Sequence, residues 1–213
     1  MIDVTATVIV ALITAVLGPV VVAWAKLKMV KKPKSNTMGE ALEASSIIDT
    51  QVENILNELG CDRVWISQFH NGGHFYPTGK SIQKFSIFYE KTSPNTTSLQ
   101  NVFQNIPVSL FPRALSKLFA DQEIAIDDIT KEEDNLGLEY MTSQFGTKSI
   151  CAVGLYSLDN QLIGVLHVSF KKSHHLTKDE WIFIRQKAGA IGTLLSEYLY
   201  TTTPKQQPIF IIK

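Results

Sequence analysis

Cysteine is scarce in this chain of 213 residues: Cys61 and Cys151 are the only two, far apart and without C-x-x-C spacing. That excludes a thiolate zinc site and a disulfide-stapled scaffold, and predicts two buried free thiols in a reducing compartment. Net charge is lacking as well. Lysine and arginine total 20, aspartate and glutamate total 20, so the whole-chain balance draws neither nucleic acid nor an acidic partner. There is no G-x-S-x-G elbow, no H-E-x-x-H and no Walker or Rossmann glycine loop, which argues against an enzyme. The acidic run Asp127-Asp128 and Glu132-Glu133-Asp134 lacks EF-hand spacing and reads as negative charge at a helix N-terminus. His70 and His74 flank a glycine turn with no third ligand nearby, so no metal is expected. The pair His174-His175 reads as a solvated loop.

Basic residues are absent from Met1 to Ala25, and then Lys26, Lys28, Lys31, Lys32 and Lys34 arrive together. The uncharged run 4–25, at about 1.5 Å per residue, matches a hydrocarbon core of about 30 Å. One transmembrane helix is predicted, Gly18-Pro19 being tolerated inside a membrane. A cleaved signal peptide fits less well, because Asp3 stands where a basic n-region belongs and no small-x-small cleavage site follows. All five lysines follow the span. The positive-inside rule therefore puts the N-terminus outside and the soluble part on the cytoplasmic side of the inner (plasma) membrane. Residues 26–37, broken by Pro33, form a basic juxtamembrane linker whose lysines can touch anionic membrane lipid.

Three threonines stand three residues before a glutamate: Thr37 and Glu40, Thr130 and Glu133, Thr177 and Glu180. Each pair can cap first-turn amides reciprocally, so each opens a predicted helix. The first runs from Gly39 to Leu59 and is ended by Gly60; the third runs from Lys178 to Tyr200. A further helical pattern covers Val108 to Ala120. Strands are predicted over Asp62–His70, Gln83–Glu90, Glu123–Asp127, Ser149–Ser157 and Gln161–Phe170, runs rich in β-branched and aromatic residues between Asn-Gly-Gly, Ser-Pro-Asn and Asp-Asn turns. Leu158-Asp159-Asn160 should close the last two into a hairpin. The order predicts an α+β fold, an antiparallel sheet flanked by helices and preceded by one transmembrane helix.

The opening D-R-V-W-I-S-Q-F-H-N-G at Asp62–Gly72 resembles the first strand and turn of the GAF family. The pair S-I-C-A-V-G-L-Y and Q-L-I-G-V-L-H-V-S-F, with the long helix after it, resembles that family's closing hairpin and C-terminal helix. The resemblance implies a GAF-like domain over residues 38–200, with 201–213 as a C-terminal tail. It also implies a pocket on one sheet face, with His70, Asn71, His74, Phe85, Phe88 and Tyr89 as candidate ligand-binding positions; a packed aromatic core is the alternative for those rings. No particular cofactor follows. The N-K-F-D-E type motif of cyclic-nucleotide-binding members and the cysteine set of methionine-sulfoxide-reducing members are missing, and Cys151, in an apolar strand without an adjacent histidine, does not suit bilin attachment. Membrane-tethered chains of this layout also resemble proteins of tailed bacteriophages.

The leading expectation is a membrane-anchored regulatory or sensory module that binds a small-molecule ligand or a protein partner without catalysis. The alternative is a lysis protein resembling the holins of T-even phages, from which the chain departs in lacking an N-terminal cytoplasmic tail and in the orientation its lysines imply. A parallel homodimer is expected through heptad-like stripes: Ala41, Ser45, Ile48, Val52, Ile55 and Leu59 on the first helix, and Trp181, Ile184, Ala188, Ile191, Leu195 and Tyr198 on the last. Packing of each helix on its own sheet explains one face of these stripes, and the surplus residues Ile47, Leu56, Ile182, Leu194 and Leu199, which widen the apolar surface beyond a single seam, favour pairing.

Overall fold

The computed structural model describes residues 37–74, 77–131 and 144–202. The chain divides into units Met1–Thr37 and Met38–Lys213. The predicted span, the five lysines and nearly all of the tail lie outside the described residues. Among the described residues no helix is long and apolar enough to cross a membrane.

Helix α1, Thr37–Leu59, turns one stripe inward: Ala44, Ile48, Val52 and Ile55 are buried at helical spacing. It stops at Gly60, whose φ of +56° suits a residue without a Cβ. Strand β1, Arg63–His74, pairs antiparallel with β2, Ser81–Thr92. The short β3, Ile106–Pro107, extends that edge, while β6, Leu162–Phe170, lies on the other side of β1. Then come β5, Ser149–Tyr156, and β4, Glu123–Ile126, giving the order β3-β2-β1-β6-β5-β4. The β5–β6 hairpin closes as predicted: the Ser157 amide donates to the Gln161 carbonyl at 2.9 Å, and Asn160 takes the left-handed conformation at φ 60°.

Helix α3, Lys178–Thr202, opens with the predicted capping box. The Thr177 amide donates to the Glu180 carboxylate at 2.7 Å, and the Glu180 amide returns a bond to the Thr177 hydroxyl at 3.3 Å. Thr130 behaves differently. Its amide and hydroxyl both donate to Asp128, at 3.1 and 2.6 Å, so Asp128 caps a 3-10 turn, Ile129–Lys131; Glu133 lies outside the described residues. The helix predicted over Val108–Ala120 is split into a 3-10 turn, Val108–Leu110, and helix α2, Pro112–Asp121. Pro112 has no amide to donate and forces Phe111 out of helical geometry, so a new helix starts there. The predicted Asn-Gly-Gly turn is also corrected. Strand β1 continues to His74 with a register shift between Asn71 and His74, and Gly73 at φ +106° absorbs the extra length.

Alternation divides the sheet. Val64, Ile66, Cys151, Val153, Leu166 and Val168 meet Ile48, Val52 and Ile55 of α1 and Ile184, Ala188, Ile191 and Leu195 of α3 in one buried cluster. Helix α3 lies close to β5 because Gly192 has no side chain: a Cβ there would stand 2.8 Å from the Tyr156 carbonyl. The inner face of each stripe packs within the monomer, as a helix lying on its own sheet requires, and Leu56 and Leu194, counted as surplus, lean on the same core; the side chain of Leu199 lies outside the described residues. Met38, Leu42 and Ile47 on α1 and Ile182 on α3 remain exposed. His174 is not simply solvated: it stacks on Phe170 at 4.0 Å and meets Glu180 at 3.2 Å, whereas His175 is exposed and meets Asp127 at 2.7 Å.

Candidate functional site

The opposite face of the sheet is incompletely filled. Trp65, Ser67 and Phe69 of β1, Phe85 and Ile87 of β2, Ile124 of β4, Ile150 and Ala152 of β5 and Val165 and His167 of β6 form a floor. Phe103, Phe111 and the apolar side of α2, namely Ala114, Leu115 and Leu118, cover it. Between floor and cover lies a cavity of about 90 Å³. Period-two alternation accounts for the floor, since each strand sends every second side chain to this face.

Polarity is confined to one corner. The His167 imidazole stacks on Trp65, with centroids 4.6 Å apart and planes within 3°. Its Nε2 lies 3.4 Å from the Ser67 hydroxyl, and its Nδ1 is buried without a partner among the described residues. Burial disfavours the imidazolium and lowers the His167 pKa to about 3, so the ring is neutral at physiological pH. At one end of the floor, Arg63 and Glu90 form an ion pair at 3.5 Å, their side chains 1% and 2% exposed. Arg63 also donates to the Thr97 carbonyl at 2.7 Å, the Phe145 carbonyl at 3.3 Å and the Thr147 hydroxyl at 2.9 Å. Glu90 accepts from the amides of Leu99 at 2.7 Å and Gln100 at 2.9 Å. The pair therefore fixes the segment that carries Phe103 into the cover.

Of the six candidate positions, Phe85 alone lines this cavity. A β-bulge explains the scatter on β2. Ile66 pairs with Tyr89 but Ser67 pairs with Ile87, so Phe88 is the extra residue and the alternation inverts there. Tyr89 consequently sits on the helical face, its hydroxyl 3.1 Å from that of Ser45 on α1, and Phe88 is half exposed. His70 points to the face opposite Phe69, with Nε2 at 2.9 Å from the Ser86 hydroxyl. Asn71 accepts from Gln83 at 3.1 Å, and both Asn71 and His74 are exposed. Among the described residues no His, Cys, Asp and Glu group is arranged to hold a metal. Both cysteines are buried and free on the helical side, and burial raises the Cys61 pKa to about 12. The sequence reading missed Trp65, Ser67 and His167. A lone histidine in the apolar run V-L-H-V-S-F, at even spacing from Val165, was the available signal.

A six-stranded antiparallel sheet with long helices on one face and a covered apolar cavity on the other defines an α+β domain of ligand-sized capacity. The family model described as "GAF domain" matches residues 43–195, and the chain belongs to that family. Similar solved structures include the blue-light-absorbing form of the PixJ GAF domain from Thermosynechococcus elongatus, at 16% identity and TM-score 0.62, covering 76% of this chain and 90% of that one. The phycocyanobilin-bound GAF domain of a cyanobacterial phytochrome matches at 21% identity and TM-score 0.62, over 78% of this chain and 92% of that one. A photoproduct-state GAF domain from Synechocystis matches at 16% identity and TM-score 0.58, over 74% and 96%. At these identities the likeness concerns the fold. No curated protein matches the sequence.

Proposed function

We propose that this chain is a membrane-anchored regulatory module whose GAF domain binds a small molecule without transforming it. The cavity under α2 carries the reading: its wall is apolar, and its one hydroxyl–imidazole pair, Ser67 and His167 at 3.4 Å, has among the described residues no carboxylate on Nδ1 to orient the ring for catalysis. The phytochrome GAF domain of similar fold holds phycocyanobilin. Here the same chromophore is not the expected ligand, because neither cysteine lies on the cavity face to attach it. Phe85, the candidate that lines the cavity, is proposed as a ligand contact. Denaturing extraction of the purified full chain, followed by mass spectrometry, tests the reading; a stoichiometric small molecule is expected, and a chain that retains none and gains no stability from any small-molecule library refutes it.

The anchor, orientation and dimer belong to the same proposal. The uncharged run 4–25 and the five lysines after it support a single span with the GAF domain in the cytoplasm. Alkaline phosphatase fused after Lys213 should be inactive, and an active fusion reverses the orientation. The exposed Met38, Leu42 and Ile47 of α1 and Ile182 of α3 support pairing through these helices, which confinement in a membrane favours. A lysis role has no observation in its favour among the described residues.

A further inference from the structure

We infer that the cavity takes an uncharged, apolar aromatic molecule of about one-ring size; the inference rests on the ligand-binding reading above. Size comes first. A dry apolar cavity of about 150 Å³ takes benzene, so about 90 Å³ accepts a single ring with small side-chain movements. The wall decides polarity. None of its residues is charged, and the adjacent Arg63–Glu90 pair is already satisfied by its own partners. An ion entering here loses its hydration and gains no counterion.

Aromatic character follows from the rings that line the space. Trp65, Phe85, Phe103 and Phe111 present faces and edges, with Phe85 and Phe111 already edge-to-face at 5.8 Å. A planar guest continues that offset and edge-to-face packing, whereas a saturated guest of equal volume gains dispersion alone. The Ser67–His167 corner adds no polar subsite: Nε2 of His167 faces the Ser67 hydroxyl and Nδ1 lies beneath the surface of the wall, so a polar group on the guest would lose its hydration without gaining a partner.

The full chain in lipid nanodiscs, labelled with 5-fluorotryptophan, supplies the test, because Trp65 lines the cavity while Trp24 and Trp181 report on lipid partitioning and on the other face. Toluene should shift the Trp65 fluorine resonance saturably, and phenol, whose hydroxyl finds no partner in the wall, should bind a few-fold more weakly. Benzoate and 2-phenylethylammonium should bind at least tenfold more weakly than toluene, and cyclic GMP not at all. Ala152→Phe should abolish the Trp65 response; should that variant not fold, Ala114→Leu narrows the same space from α2. A charged ring or the nucleotide binding as well as toluene overturns the inferred ligand class and leaves the sensory reading standing. Silence of Trp65 toward every probe overturns the inference, and if the extraction experiment also finds no retained molecule, the sensory reading falls with it.

Discussion

Replacing Arg63 by methionine removes the most heavily bonded buried side chain of the domain, and the consequence follows from what is left behind. The Glu90 carboxylate, 2% exposed, loses its cation but keeps the amides of Leu99 and Gln100. The carbonyls of Thr97 and Phe145 lose the guanidinium donor that Arg63 supplies. Breaking a buried pair by deleting one partner costs about 3–5 kcal/mol, and an orphaned buried carbonyl adds about 1–3. Because the surviving amides still solvate Glu90, the net loss is expected at about 4 kcal/mol, or roughly 8–16 °C in Tm for a domain of this size. Glu90→Leu alone should cost a similar amount, by stranding the guanidinium. The double variant should cost less than the two singles together, since it buries no unpaired charge. Urea unfolding followed by Trp65 fluorescence measures all three. A loss below about 1 kcal/mol for Arg63→Met, or strict additivity in the cycle, refutes the reasoning.

Three further outcomes are expected. His167 has a folded pKa of about 3 against about 6.5 unfolded; the unfolded chain takes the proton first, so its contribution is complete above pH 6.5 and is lost as pH falls toward 3. Between pH 6.5 and 5 the loss should be about 2 kcal/mol relative to His167→Leu, and parallel pH profiles for the two proteins contradict it. Burial raises the pKa of both Cys61 and Cys151, so a thiol-reactive disulfide at pH 8 should leave the native chain unmodified and label both residues in urea; fast native labelling contradicts the placement. Gly192→Ala should destabilise by about 1–3 kcal/mol, since its Cβ meets the Tyr156 carbonyl at 2.8 Å, while Gly189→Ala, with nothing within 4 Å, should gain up to about 1 kcal/mol in calorimetry.

The elements were legible in the sequence because their signals are local. The Thr177–Glu180 box, Gly60 and the Leu158-Asp159-Asn160 turn each fix a boundary through chemistry within four residues, and period-two alternation places β5 and β6. The site was less legible because it depends on pairing. One extra residue, Phe88, sends Tyr89 to α1 and Phe85 to the cavity, and nothing in Q-K-F-S-I-F-Y-E announces the shift. Arg63 is a similar case. Nothing at the head of an apolar strand announces a buried cation, and only the return of β2 brings Glu90 beside it. The edge strand β3, two residues long and including a proline, has too little pattern to detect.

The two faces of the sheet also differ in what they ask of stability, and that difference bears on function. On the helical face the buried side chains of α1, α3 and the strands close on one another. On the other face, close packing stops short at a partly open apolar cavity of about 90 Å³, and apolar surface left to water there forgoes about 25 cal/mol per Å², on the order of 2 kcal/mol. Domains hold only about 5–15 kcal/mol in total, so the penalty is a substantial share of the margin. Removing it is simple in principle, because Ala152 and Ala114 both line the space and a larger aliphatic side chain at either would occupy it. A bound guest recovers the same energy without a change of sequence, and adds RT ln(1 + [L]/Kd) as its concentration rises. A ligand that filled the cavity would offset that cost, and the folded population of the cover formed by Phe103, Phe111 and α2 would then depend on ligand concentration, as the proposed sensory role requires.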